Sequence, residues 1–275
     1  MCGTKRGEEA MGDSVLIFSA HADDAEFFCG GTIAKLASKG YDVYEVITTN
    51  NERGSYELDS ATLVSQSRDK EAREAARILG KKDVFFLEYP DGFLADYPIN
   101  EIREKFIRFI RRLKPRIVFT FDPWAPNEPH PDHRVVATAA MEAVSFAQMP
   151  LFHPEHKDEG LQPHLVTEIY YFAKDPVRAN KVVDIGEFID KKIDALCAHD
   201  SQMKLMIDDI TLTMKALGMD PEKVALLDRD NYRPAVEMFI RAWANKVGAK
   251  AGVEYGEEFR YEQAGELIRE LTDLL

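Results

Sequence analysis

Cysteine is scarce in this chain: Cys2, Cys29 and Cys197 are too few and too scattered for a disulfide framework or a thiolate-ligated zinc site. Any metal must therefore be held by oxygen and nitrogen. No apolar run approaches the ~18 residues that cross a bilayer, and Lys5, Arg6, Glu8 and Glu9 stand where a signal peptide carries its apolar stretch. The expectation is a cytoplasmic protein with no membrane partner. Bases are outnumbered, 35 against 48 acids, and the formal charge of -13 repels phosphate backbones. Nucleic acid is not an expected partner. Also missing is a Gly-x-Gly-x-x-Gly turn after the first strand-like run. His21-Ala22-Asp23-Asp24 stands there, and its paired acids repel a pyrophosphate, which argues against a nucleotide-binding enzyme.

What is present reads as a packed body. Hydrophobic residues make up 45% of 275 and charged residues 30%, enough for one elaborated domain or two small ones. Residues 1–12 read as a loose leader, and Ser14 to Ser19 as the first strand. Gly30-Gly31-Thr32 is expected to open a helix, with Ile33, Leu36 and Ala37 on one face and Gly40 as its stop. Strands follow at Val43–Thr48, Val84–Leu87 and Ile117–Phe121, alternating with helices at Ser60–Leu79, Asn100–Leu113 and Arg134–Phe146. Ile169–Phe172 and Val182–Ile185 read as further strands, Ile189–Leu217 and Ala235–Val247 as helices, and Phe259–Leu275 as an amphipathic helix. The alternation predicts an α/β fold: a Rossmann-like, mostly parallel sheet flanked by helices, with a mixed β/helical C-terminal cap. Residues 13–275 are expected to form a single domain, with the core in 13–150 and the capping part in 151–275.

Two polar clusters each follow an apolar strand-like run. His21, Asp23 and Asp24 come after Val15–Phe18, and Pro129-His130-Pro131-Asp132-His133-Arg134 comes after Ile117–Phe121. Open α/β sheets keep their chemistry at strand carboxyl ends, and first and fourth strands lying side by side would merge the clusters. His21, Asp24 and His133 then offer two imidazoles and a carboxylate, a known catalytic ligand set with room for water. Neighbouring acids point in different directions, so Asp23 faces the water as general base. Asp132 is expected to fix an imidazole, leaving His130 to donate toward an oxyanion. Together these residues predict hydrolysis of an amide or ester. Taken singly, His-x-Asp-Asp is also a common surface turn and His-Pro-Asp-His a helix cap.

At these residues the chain resembles the LmbE-like, or PIG-L-type, zinc-dependent deacetylases, which remove N-acetyl groups from amino sugars. The resemblance rests on His21-Ala22-Asp23-Asp24-Ala25-Glu26, Gly30-Gly31-Thr32 and His130-Pro131-Asp132-His133. Ala22 replaces the family's usual proline. Further matches are Arg53-Gly54, Arg68 with Glu71, Asp91-Gly92, His199-Asp200-Ser201-Gln202 and Tyr255-Gly256-Glu257. The resemblance implies one Zn2+ per subunit on His21, Asp24 and His133, Asp23 as base, and His130 polarising the oxyanion under the orientation of Asp132.

Arg68, Arg53, Asp91 and Trp124 are the candidate substrate contacts. Arg68 offers a rigid fork for sugar hydroxyls or, alternatively, an ion-pair partner for Glu71 or Asp69. Arg53 and Asp91 stand at strand ends, and Trp124 offers a face for a sugar ring or an anchor for packing. Asp122-Pro123-Trp124 and Ser145 to Pro150 are similar to archaeal diacetylchitobiose deacetylases, implying a homo-oligomer of hexameric form. The Phe27-Phe28 pair departs from them by being bulkier. The expected reaction is deacetylation of N,N'-diacetylchitobiose or N-acetylglucosamine, small amino-sugar substrates. The alternatives are an N-acetylglucosamine conjugate, such as a thiol precursor or antibiotic glycoside, and a catalytically silent carbohydrate-binding protein.

Overall fold

The computed structural model describes residues 13–56, 61–224, 227–265 and 271–272. The leader, the Ser60 helix boundary and most of the segment after 265 lie outside the described residues. In chain order the elements are β1 (Ser14–Ser19), α1 (Asp24–Ser38), β2 (Asp42–Thr49), α2 (Ala61–Leu79) and β3 (Asp83–Tyr89). Next come α3 (Ile99–Leu113), β4 (Ile117–Phe121), α4 (Pro131–Phe146), β5 (Glu168–Phe172) and β6 (Lys181–Asp184). The remainder is α5 (Ile189–Cys197), α6 (Asp200–Ala216), α7 (Pro221–Val224), α8 (Arg233–Gly248) and β7 (Gly256–Gln263).

The sheet has seven strands in the order β3-β2-β1-β4-β5-β7-β6, parallel from β3 through β5. β1 and β4 are buried at every position, as strands covered on both faces must be. They pair directly, Val15 with Ile117 through Ile17 with Phe119. The order reverses between them, which opens a crevice at their shared carboxyl edge. No described helix is long and apolar enough to cross a membrane.

Three expectations are corrected. α1 begins at Asp24, so Gly30-Gly31-Thr32 lies inside it, beyond a break at Cys29 (φ -141°, ψ 17°). Across that break Gly31 N–H and Thr32 N–H donate to the Glu257 carboxylate at 2.9 and 2.7 Å, while Lys192 Nζ donates to the Phe27 carbonyl at 2.7 Å. An ion pair thus replaces the helical bonds that the break removes. Gly31 is required there, since a Cβ would lie 2.8 Å from Ile185.

Residues 256–263, most of them expected to belong to a helix, form β7. It pairs antiparallel with β5 and β6 and sends Phe259 into the core. Its alternation of apolar and polar residues fits a half-buried strand. The expected Ile189–Leu217 helix is broken between Cys197 and Asp200, with His199 wholly buried at the joint. The segment after 150 therefore contributes three strands to the sheet as well as covering helices.

Lys192 and Glu257 are both buried and lie 2.6 Å apart. Glu257→Ala leaves the lysine charge and two main-chain donors without their partner, an expected loss of about 3–5 kcal/mol of unfolding free energy. Urea unfolding measures it against Glu262→Ala on the same strand; equal losses would contradict this role for Glu257.

Candidate active site

The turn after β1 is tied from several sides. Asp24 Oδ2 accepts the N–H groups of Ala20 (3.0 Å) and His21 (2.7 Å), and Ala22 N–H donates to Asn51 Oδ1 at 2.7 Å. Asp23 sits at φ 134°, a conformation that costs a residue with a Cβ about 1–3 kcal/mol and persists only when surroundings impose it. Arg68 of α2 supplies part of that imposition. Its Nη2 donates to the Ala22 carbonyl and lies 3.3 Å from Asp23 Oδ1.

From the other strand, His130 ends the loop before α4 and His133 lies in that helix's first turn. The paired strands bring the clusters together. His21 Nδ1 is 3.3 Å from His133 Nε2, which is 3.4 Å from Asp24 Oδ1, and Asp24 Oδ2 is 3.7 Å from His21 Nδ1. A tetrahedral ion with bonds of about 2.0–2.1 Å spaces its ligands about 3.3 Å apart. The two imidazoles have that spacing, and Asp24 faces both of them through different oxygens, Oδ1 toward His133 and Oδ2 toward His21.

Acids behind the imidazoles complete the fit. His21 Nε2 faces Asp91 Oδ1 at 3.0 Å and Asp132 Oδ2 at 3.4 Å, the arrangement that fixes a ligating histidine's tautomer. His133 Nδ1 has Glu128 Oε1 at 3.1 Å, although outside hydrogen-bond angles. Asp132 differs from expectation. Its carboxylate accepts Gly92 N–H (2.7 Å) and Leu94 N–H (3.0 Å) and turns to His21, while its main-chain N–H meets His130 Nδ1 at 3.3 Å. His130 is thus oriented by the backbone of Asp132, not its carboxylate. With Nδ1 accepting, the neutral ring carries its proton on Nε2.

Two other donor groups share His21, one with His130 and His133 and one with Asp91, His130 and Asp132. The Asp24 set is preferred because His21 Nε2 is occupied by its acids, which leaves Nδ1 for the ion. A separate group, His153, Glu155 and His156, is committed elsewhere: His156 bonds Arg111 through Nδ1 and Glu104 through Nε2.

Charge in the site follows from this crowding. Burial acts to lower the His21 pKa, but Asp132, Asp91 and Asp24 outweigh it and push it up to about 10. Burial raises Asp23, opposed by the Arg68 charge and assisted by Asp24. Burial, joined by the charges of His21 and His133, lowers His130 and favours its neutral ring. Beneath the site, buried Lys81 Nζ holds Glu26 and Glu45, each at 2.5 Å, and Glu26 lies 3.6 Å from His199 Nε2.

A cavity of about 640 Å³ reaches Asp23, Asp24 and His133. None of the four candidate substrate contacts lines it. Arg68 is only 2% exposed, behind Asp23. Asp91 is buried between His21 and Arg53, whose N–H donates to Asp91 Oδ2 at 3.1 Å. The Arg53 guanidinium lies over Phe93 at 4.8 Å, and half-exposed Trp124 carries Arg260 on its face at 3.9 Å. Sequence reasoning missed Glu128, although an acid next to Pro129-His130 was a readable signal. It also missed Lys81 and Lys192, whose partners are far away in the chain.

Residues 16–144 match the family model described as PIG-L, GlcNAc-PI de-N-acetylase. A diacetylchitobiose deacetylase of Thermococcus kodakarensis is 35% identical over 190 residues, 68% of this chain and 69% of that protein. A 4-oxalmesaconate hydratase of Pseudomonas putida is 29% identical over 208 residues, 71% of this chain and 76% of its own. Among solved structures, the N,N'-diacetylchitobiose deacetylase of Pyrococcus horikoshii superposes with a TM-score of 0.74 at 32% identity, over 91% of this chain and 84% of its own.

With its pKa near 10, His21 of the metal-free polypeptide is protonated at neutral pH and gives up that proton to ligate. Calorimetric titration with zinc at pH 7 in buffers of different ionisation enthalpy is expected to show about one proton released per ion. Affinity should rise about tenfold per pH unit across the neutral range. Binding without proton release would contradict this ligand role.

Proposed function

Since the chain belongs to the PIG-L family of de-N-acetylases, we propose that it is a zinc-dependent hydrolase that removes the N-acetyl group from an N-acetylglucosamine-type sugar. The observation that carries this reading is the triangle of His21, Asp24 and His133 at the inner end of a cavity, with Asp23 beside it. A divalent ion held there lowers the pKa of water and polarises the amide carbonyl.

The chain's own groups do the rest. Asp23 takes a proton from water as its oxygen bonds to the acetyl carbon, then passes that proton to the sugar nitrogen as the C–N bond breaks. The products are acetate and a free amine. Burial, which raises the Asp23 pKa against the pull of Arg68, moves this base toward the working pH. Arg68 is also the positioning group that keeps the carboxylate aimed. His130 donates from Nε2 to the oxygen that gains negative charge, in a ring whose burial favours the neutral form. Of the four candidate substrate contacts, Arg53 and Trp124 belong to the same proposal as groups that meet the sugar outside the cavity, whereas buried Arg68 and Asp91 act through Asp23 and His21. Assembly as a homo-oligomer, a hexamer by resemblance, in the cytoplasm belongs to it too.

Acetate release from N-acetylglucosamine or diacetylchitobiose by the zinc-loaded protein is expected. It should be abolished by a chelator and restored by added zinc. Asp23→Asn is expected to lower kcat by about 10²-fold or more while retaining zinc. A variant with full activity would rule out Asp23 as the base. Water addition to an unsaturated oxo acid, without acetate release, would favour the chemistry named for the P. putida relative.

A further inference from the structure

The space beside the reacting groups is larger and more apolar than an acetyl group requires. Its walls are Phe27 and Phe28 from α1, Met206 from α6, and Phe239, Ala242 and Trp243 from α8. The rings form a continuous lining: Phe28 stacks on Phe172 at 5.1 Å and meets Trp243 edge-on at 6.1 Å, and Phe239 lies 6.2 Å from Trp243. Phe239 is 48% exposed, so much of its apolar surface is left uncovered by the described residues. Carboxylates occur only at the inner end, as Asp23 and Asp24. The charged residues elsewhere on the lining are Lys174 and Lys246, both exposed.

One aromatic face can carry the C–H face of a sugar, but with apolar side chains on the other walls the hydroxyls at that ring's edge lose water with few hydrogen-bond partners to replace it, whereas an alkyl or aryl group gains from the same burial. The wall is also fixed in place. The break in α1 that sets Phe27 and Phe28 is held by Lys192 on the Phe27 carbonyl and by Glu257 on Gly31 and Thr32. We infer that this cavity is an aglycone subsite and that the substrate is an N-acetylglucosaminide carrying an apolar alkyl or aryl group with a neutral or anionic end. The inference rests on the deacetylase reading and selects a conjugate over a chitin fragment.

Acetate release decides between them with three probes: free N-acetylglucosamine, diacetylchitobiose and octyl N-acetylglucosaminide. The octyl glycoside is expected to exceed diacetylchitobiose in kcat/KM by about tenfold or more. Combining Phe239→Ala with Trp243→Ala should cut that ratio by about tenfold. A carboxyphenyl glycoside should be used better than its trimethylammonium counterpart. Equal use of the octyl glycoside and diacetylchitobiose, or a ratio indifferent to the two substitutions, overturns the subsite. A preference for the cationic aryl glycoside overturns its charge selectivity. Calorimetry on zinc-loaded Asp23→Asn separates this inference from the reading beneath it. Tighter binding of the octyl glycoside supports the subsite even where no acetate is released, and equal binding overturns it. Light scattering on the double variant tests a second copy as occupant: a fall in molar mass makes the wall an interface and overturns the proposal.

Discussion

Because β1 and β4 run parallel and side by side, the chain leaves both at one edge of the sheet, and clusters about a hundred residues apart in sequence meet there. Everything else in the site depends on that pairing. The first strand ends in the turn that carries His21, Asp23 and Asp24, and the fourth leads to the loop and helix start that carry His130 and His133. A loss of register between these strands would separate the imidazoles of His21 and His133, and no single cluster retains three ligands.

Once the clusters meet, electrostatics takes over. Asp24, Asp91 and Asp132 all face the His21 imidazole, and Glu128 faces His133. Such a concentration of acid is costly unless a positive charge occupies it. In the polypeptide alone His21 supplies that charge as a proton, and a divalent ion on Nδ1 would add its own charge beside Asp24. Arg68 plays the complementary part for Asp23, facing its carboxylate with a positive charge and helping to hold it in a backbone conformation it would not choose. Below them the Glu26–Lys81–Glu45 network closes the floor of the site with charges paired by their own side chains.

Local signals were enough for the first six strands. Ile117–Phe121 is the same stretch in sequence and structure, and so is Ser14–Ser19, because buried apolar runs bounded by polar residues leave little choice. The ligand candidates were legible for the same reason, as polar residues placed directly after such runs. Readings failed where distant residues supply the partner. Gly30-Gly31 resembles a helix opening, yet α1 starts earlier and passes through it because Glu257 and Lys192 satisfy the broken turn. From Phe259 onward β7 reads as helix because its pairing with β5 and β6 is remote in sequence. Asp132 stands two residues after His130, which suggests a pairing of the two, whereas the helix start turns its carboxylate toward His21. The aromatic cavity wall was only hinted at by Phe27-Phe28, since α8 brings Phe239 and Trp243 to it from far along the chain.

The central claim is that His21 and His133, from opposite sides of the β1–β4 seam, share one ion with Asp24 while Asp23 stands free. Anomalous diffraction at the zinc edge from crystals of the zinc-loaded protein tests it most directly. The account predicts one peak per chain at about 2.0–2.2 Å from His21 Nδ1, His133 Nε2 and an Asp24 oxygen, with Asp23 outside the coordination sphere. A peak on the other side of His21, among Asp91, His130 and Asp132, or one ligated by Asp23, would contradict it.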